Sequence, residues 1–308
     1  MATVPVSFIL DDGGPVNMYH FHDLGTWHEL IIPPAFLREF SKVCKRNNIM
    51  GKFSVVPMPA GLGRLDGKVT QVPTPIVKQY IKLIKEQIEP VFSITPEILT
   101  HYLAYKKPVL ENLYISSCAE DEITEYISLA LEILKNTGLN PTGVTSPWDA
   151  GMRNEDHYAR GIGRAFRKIM NVDECFYFLH SSGDDLVKPV VMFDTPETGK
   201  VISVPNNIHD AFWPTQNPVT ARQARQNVKK NIDEILSPDG KTGVMREFFE
   251  QGLPIVFISH WQSLYSDGRC IGLEGLDALT QRMNKVFGKQ IEWMPMMELA
   301  KNHAGERK

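Results

Sequence analysis

Two hydrophobic patterns alternate along the chain. Short, almost continuous apolar runs rich in β-branched and aromatic residues stop abruptly at Gly, Pro or polar positions. They cover residues 4–10, 52–56, 143–146, 175–179, 187–193, 200–204 and 254–259, with a last short run at 291–294. Runs of this kind predict strands buried on both faces. Between them, apolar residues recur at intervals of three and four. Phe36, Leu37, Phe40, Val43 and Cys44 mark a helix after Pro33-Pro34, where proline suits a first turn. Ile123, Tyr126, Ile127, Ala130, Leu131 and Leu134 share one face of a helix over residues 121–135, with Gly138 at its end. The same periodicity predicts helices over residues 75–88, 157–170, 220–236 and 273–287.

Strand then helix, repeated about seven times with apolar strands, implies a parallel sheet covered by helices and closed into a barrel. The expected fold class is therefore α/β, a (β/α) barrel. The length of 308 residues allows two ordinary domains or one barrel, and no repeat, linker or low-complexity stretch cuts the chain. Residues 1–308 are read as one domain. With 43% hydrophobic and 22% charged residues the chain is globular, not disordered. A net charge of −3 offers no field for a phosphate backbone, so no nucleic-acid partner is expected. Cys44, Cys118, Cys175 and Cys270 are scattered and form no Cys-x-x-Cys pair, which excludes a zinc knuckle and predicts free thiols. No apolar run approaches the ~18 residues of a membrane span. The start has no basic residue and no small-residue cleavage site, so it reads as a first strand and a cytoplasmic location is expected.

In such barrels chemistry collects where strands end. Here those positions hold Asp11-Asp12, then Thr145-Ser146-Pro147-Trp148-Asp149, then His180, Asn206 with His209, and His260-Trp261. Trp148, Trp213, Trp261 and Trp293 also follow strands or lie in one. Aromatic rings around carboxylates and imidazoles suit a sugar or another polar ring, whose faces stack while its edges are hydrogen-bonded. Other features carry less. Asp11-Asp12-Gly13-Gly14 is also a good turn sequence. His20-Phe21-His22 would place both imidazoles on one face of a strand but says nothing in a loop, and it is read as ordinary. Gly61-Leu62-Gly63 and Gly161-Ile162-Gly163 each lack the third glycine of a dinucleotide fingerprint.

Taken together these residues resemble the NodB-like polysaccharide deacetylases of carbohydrate esterase family 4. Phe8-Ile9-Leu10-Asp11-Asp12-Gly13 is similar to that family's opening strand with its Asp-Asp pair. Lys52-Phe53-Ser54-Val55-Val56 resembles the second strand, and Ile255-Val256-Phe257-Ile258-Ser259-His260 the last core strand with its terminal His. The family's His-x-x-x-His pair is missing. At about its place stands Thr95-Pro96-Glu97-Ile98-Leu99-Thr100-His101, where Pro96 would open a helix and set Glu97 and His101 on one face at i, i+4. The family's arginine before prolines is absent from Thr145-Ser146-Pro147-Trp148, with Arg153 the nearest substitute.

The resemblance implies a distorted (β/α) barrel and a hydrolase that removes an N- or O-acyl group from a carbohydrate. It implies Asp12, Glu97 and His101 as ligands to one divalent metal, Zn²⁺, Mn²⁺ or Fe²⁺, which lowers the pKa of a water and stabilises the oxyanion. Asp11 is then the general base, His260 the general acid, and Trp148, Trp213 and Trp261 the sugar-binding rings. Two other readings stay open. One is a metal-independent glycoside hydrolase using paired carboxylates such as Asp11 and Asp149. The other is a non-catalytic carbohydrate-binding barrel of the same fold. All three take a carbohydrate or another acylated small molecule, and none expects a membrane.

Overall fold

The computed structural model describes residues 3–22, 28–179 and 187–307. Its strands are β1 (Val4–Asp11), β2 (Gly51–Val55), β3 (Phe92–Pro96), β4 (Gly143–Thr145), β5 (Glu174–Phe178), β6 (Val190–Thr195), β7 (Gly199–Val204), β8 (Ile255–His260), β9 (Ile291–Trp293) and β10 (Gly305–Glu306). The helices are α1 (Tyr19–His22), α2 (Pro34–Asn47), α3 (Thr74–Leu83), α4 (Glu111–Ser117), α5 (Glu120–Asn136), α6 (Glu155–Ala165), α7 (Ala221–Ile235), α8 (Val244–Glu250), α9 (Trp261–Tyr265), α10 (Ile271–Phe287) and α11 (Met296–His303).

One sheet runs β3-β2-β1-β8, with β9 also on β1, and the other runs β10-β6-β7-β5-β4. Pairing is parallel throughout except for the β6–β7 hairpin, which is antiparallel. Two seams join the sheets. Parallel bridges Ile94–Pro141 and Glu97–Thr145 tie β3 to β4. On the opposite side Ile208 bridges Phe257, while Asn207 accepts the Val256 N–H at 2.8 Å and donates to the Pro254 carbonyl at 3.2 Å. The result is the expected (β/α) barrel, distorted by its hairpin and loose at its seams.

Side-chain alternation sorts each strand between the barrel interior and the helix-covered outside. On β1, Val6, Phe8 and Leu10 belong to the outer core with Phe36, Phe40 and the α5 face, whereas Ile9 packs inside with Phe176, Phe178, Ile202, Val256 and Ile258. Met296, Leu299 and Ala300 of α11 join that inner cluster and plug it. Because β9, just before α11, pairs with Val4–Val6 at the start of β1, the plug closes the N-terminal end. The cleft is left to the opposite end.

Four elements depart from the sequence reading. Residues 92–96 form β3, not the beginning of a helix at Pro96; Phe92 and Ile94 alternate with Ser93 and Thr95, a strand pattern that the proline obscures. α8 and α11 were absent from the periodicity reading because both are short. The helix expected over residues 157–170 ends at Ala165 and finishes in a wider π-type turn over Phe166–Met170.

Candidate active site

The same alternation builds the site. Asp11 ends β1 on the inward side, Lys52 and Ser54 take the inward positions of β2, and Thr95 and then Glu97 continue those of β3. Asp11, Lys52, Ser54, Thr95, Glu97 and Thr145 are all fully buried, a polar layer above the apolar interior. A buried polar layer persists only if its groups satisfy one another. The Lys52 ammonium donates to Asp11 Oδ1 and to Thr145 Oγ1 at 2.5 Å, and lies 4.9 Å from the Phe178 ring centroid. Thr145 and Thr95 share a hydrogen bond of 2.8 Å, and Ser54 Oγ donates to Glu97 Oε2 at 2.6 Å.

Past the strand ends the chain is bent hard. Asp12, His101 and Trp148 adopt left-handed φ angles of 63°, 52° and 48°. Such backbone is uncommon for residues other than glycine and concentrates at functional sites. Gly13 serves close approach: a Cβ there would stand 2.2 Å from the Ser54 carbonyl oxygen. The Glu97–His101 turn is held from two sides. Leu99 and Thr100 carbonyls accept Met58 and Ala60 N–H groups, and the buried Glu111 carboxylate accepts the N–H groups of Thr100 and His101 at 2.9 and 2.8 Å. Glu111 also accepts Tyr126 OH at 2.8 Å.

This scaffold brings Asp12, Glu97 and His101 together, one potential ligand atom from each lying within 4.8 Å of the others. His101 Nε2 is 3.3 Å from Asp12 Oδ1 and 3.3 Å from Glu97 Oε1. Both oxygens are buried and neither has a hydrogen-bond partner among the described residues. Glu97 Oε2, by contrast, accepts the Asp12 N–H at 2.6 Å, which fixes the carboxylate so that Oε1 faces the group. Burial, and then the charges of Asp12 and Asp11, push the Glu97 carboxyl well above the usual carboxylate range. A cation is what would relieve both the repulsion and the orphaned oxygens. Ligands ~2.0–2.2 Å from one ion stand roughly 3–3.5 Å apart, the separation seen about Nε2. The residues present therefore fit a divalent metal.

His260 faces this group from the end of β8, and its Nδ1 meets Asp210 Oδ2 at 2.9 Å. Burial alone would lower the imidazole's pKa, but the Asp210 hydrogen bond and charge, with Asp12 and Asp11 beyond, outweigh it and take it up to about 9. The cleft above is about 190 Å³ and is lined by Asp12, Tyr19, His22, His101, Trp148, Trp213 and His260.

No family model matches the sequence, and no curated protein matches it either. Solved structures do match. A Mycobacterium smegmatis protein assigned as a polysaccharide deacetylase superposes with a TM-score of 0.51 at 13% identity, over 98% of this chain and 90% of that one. A Parabacteroides distasonis protein assigned as a glycoside hydrolase/deacetylase gives 0.55 at 9% identity, over 97% and 71%. A CE4 family pseudoenzyme from Bacillus anthracis aligns over 100% and 70% at 10% identity, but with a TM-score of 0.45 that likeness carries no weight. The fold is that of the deacetylase barrel.

Within this deacetylase-like barrel several sequence expectations change. Glu97 and His101 do meet, yet not as a helical i, i+4 pair: they sit on a turn after β3, and the left-handed His101 folds its ring back. Trp261 is not a cleft residue. It is 0% exposed, ringed by Phe36, Phe40, Phe53 and Tyr80, and its Nε1 donates to the Gly14 carbonyl at 3.1 Å. Strand parity explains this, since His260 faces in and the next residue must face out. Trp148 and Trp213 do line the cleft. Trp148 stacks on His101, centroids 4.5 Å apart, and Trp213 meets His260 edge-on at 4.8 Å.

Arg153 is exposed on a turn, and the cation beside Asp11 is Lys52 from another strand. Asp149 accepts Asn112 Nδ2 at 2.6 Å and does not line the cleft, so it is no counterpart to Asp11 across a bond. His209 is exposed and its neighbour Asp210 does the pairing. His180 lies outside the described residues. His22, read as ordinary, reaches the site: its Nε2 is 2.5 Å from the His101 carbonyl and 3.2 Å from His101 Nδ1. Asp210, Glu111 and Lys52 were missed as site residues. For Lys52 a signal existed, an inward-parity lysine in an otherwise apolar strand.

Proposed function

We propose that this protein is a metal-dependent hydrolase that removes an N- or O-acyl group from a carbohydrate. The observation that carries the reading is the convergence of two buried, unbonded carboxylate oxygens and one imidazole nitrogen on the floor of an aromatic cleft. Asp12, Glu97 and His101 would hold the ion, and mixed carboxylate and imidazole donors suit Zn²⁺, Mn²⁺ or Fe²⁺. Bound there, a divalent cation supplies Lewis acidity, lowering the pKa of a water and stabilising a developing oxyanion.

The remaining work belongs to the chain. Asp11 acts as general base. Lys52 holds its Oδ1, which fixes the carboxylate, and the water's proton goes to Oδ2. His260 acts as general acid from the other side. Asp210 takes its Nδ1, so Nε2 delivers the proton to the leaving amine or alcohol. The Asp210 hydrogen bond and charge raise that imidazole's pKa and so favour the protonated state a proton donor needs. Trp148 and Trp213 offer the ring faces against which a sugar packs.

The test is metal analysis after growth with Zn²⁺, Mn²⁺ and Fe²⁺, joined to acyl-release assays on N- and O-acetylated sugars. One ion per chain is expected, lost in Asp12→Ala and His101→Ala while both variants stay folded. No stoichiometric metal under any of the three conditions, or no acyl release by loaded protein, would overturn the reading.

A further inference from the structure

The two cleft tryptophans stand on opposite walls, Trp148 beyond β4 and Trp213 in the turn Trp213–Gln216. In an open groove nothing would connect them. Here α1 does: His22 packs on Trp148 with centroids 4.8 Å apart, Tyr19 on His22 at 6.0 Å, and Tyr19 on Trp213 at 5.3 Å. The helix is tethered, not merely laid across. Asn17 Oδ1 accepts the Tyr19 N–H at 3.1 Å, His20 Nδ1 meets the His28 carbonyl at 2.8 Å, and His28 supports the Tyr19 ring edge-on at 5.7 Å. His28 in turn is held by Asp267 at 2.8 Å. An unbroken row of rings therefore walls one side of the cleft.

The space enclosed is small. About 190 Å³ is below the ~300–1,000 Å³ common for drug-sized ligands. Asp12 and His260 face this space, with Asp11 and Glu97 behind Asp12.

We propose that Tyr19, bridging His22 and Trp213, makes the cleft a blind pocket for one ring, so that the protein takes a monomeric or chain-terminal acylated sugar and not the interior of a polymer. The substrate class named here rests on the deacylase reading, whereas the pocket's one-ring limit does not. A through-going groove gains affinity with each added unit, because successive subsites add contacts; a blind pocket saturates at the first.

Tryptophan fluorescence on purified protein, with N-acetylglucosamine and its linear β-1,4 tetramer as probes, reads the limit without any turnover. Less than a threefold difference in Kd is expected between the two. In Tyr19→Ala the tetramer should gain at least tenfold over the monomer as the wall opens, and in Tyr19→Phe, which keeps the ring, the ratio of the two Kd values should stay below threefold. Thermal melting of each variant confirms that the comparison is between folded proteins. Mass spectrometry of the tetramer after incubation should show deacetylation at one end only. Tenfold tighter binding of the tetramer to wild type, loss of acetyl from interior units, or no binding of either probe would overturn the inference. Failure of the deacylase reading looks different: monomer and tetramer bind alike and no acetyl is released from any unit.

Discussion

Replacing Lys52 by methionine tests the polar layer beneath the cleft most directly. Lys52 and Asp11 are both fully buried, so their charges cannot relax into water. Methionine keeps the length and volume of the lysine stem and can still contact the Phe178 ring through sulfur. Thr145 loses one donor but keeps its 2.8 Å bond to Thr95. What changes is the charge balance, since Asp11 is left as a buried carboxylate without its cation. Removing one partner of a buried pair costs about 3–5 kcal/mol, far more than the net value of the pair itself. Asp11→Asn should cost a similar amount by stranding the ammonium. The double variant Asp11→Asn/Lys52→Met strands neither charge and should sit within about 2 kcal/mol of wild type.

The assay is urea unfolding of chelator-treated protein at pH 7, followed by circular dichroism and tryptophan fluorescence. Coincident transitions and equal slopes are needed for the free energies to be compared. The decisive quantity is the coupling, the double variant's loss minus the sum of the two single losses. A coupling of several kcal/mol is expected. If Lys52→Met costs less than about 1 kcal/mol, or the two changes add to within about 0.5 kcal/mol, the pair is not the buried counter-ion arrangement on which the role proposed for Asp11 depends.

His260 and Trp261 are neighbours with opposite expectations. Because the folded imidazole is raised to about 9 from its ordinary 6.5, its pairing with Asp210 stabilises the metal-free protein fully below pH 6.5 and is lost as pH climbs through 9. Asp210→Asn should weaken that dependence in pH-resolved melting; an unchanged profile would refute it. If the proposed activity is present, a cation at Asp12 would cancel part of the field, so its basic limb should lie below 9 and move further down in Asp210→Asn. Trp261→Ala should cost about 3–5 kcal/mol as an aromatic core deletion, with sugar affinity unchanged once the protein is folded. Trp213→Ala should barely alter stability but weaken sugar binding by about 0.5–1.5 kcal/mol, and calorimetry that reverses this split would return Trp261 to the cleft.

Most of the strands, the long helices and the metal-binding candidates were legible in the sequence because each is a local signal, whereas β3 was hidden by its proline. Asp11 and Asp12 lie at the end of the most apolar run, and their placement needs only the strand. Trp261 shows where that reasoning needs one more step. A residue after a strand end was taken to face the cleft, but alternation from Ile258 and His260 already assigns it to the outside. Parity would have corrected it from sequence alone, and would equally have marked Lys52 as an interior cation.

Other residues lay beyond such reasoning for a different cause. Asp210 and Glu111 act on side chains or turns 50 and 10 residues away, and His22 on one 79 away, through bonds that exist only once the barrel has closed. Glu97 and His101 show how a right pairing can come from a wrong local structure. Four residues separate them in a helix and in this turn alike, but a helix would fix their spacing by its own backbone. The turn does so only with Glu111 beneath it and the Met58 and Ala60 amides beside it. The left-handed backbone at Asp12, His101 and Trp148 follows from the same dependence: no local preference selects it, and the surrounding hydrogen bonds impose it. The geometry of the Asp12–Glu97–His101 group is thus a tertiary property, and substitutions that loosen Glu111 or its contacts will reach that group without touching any of its members.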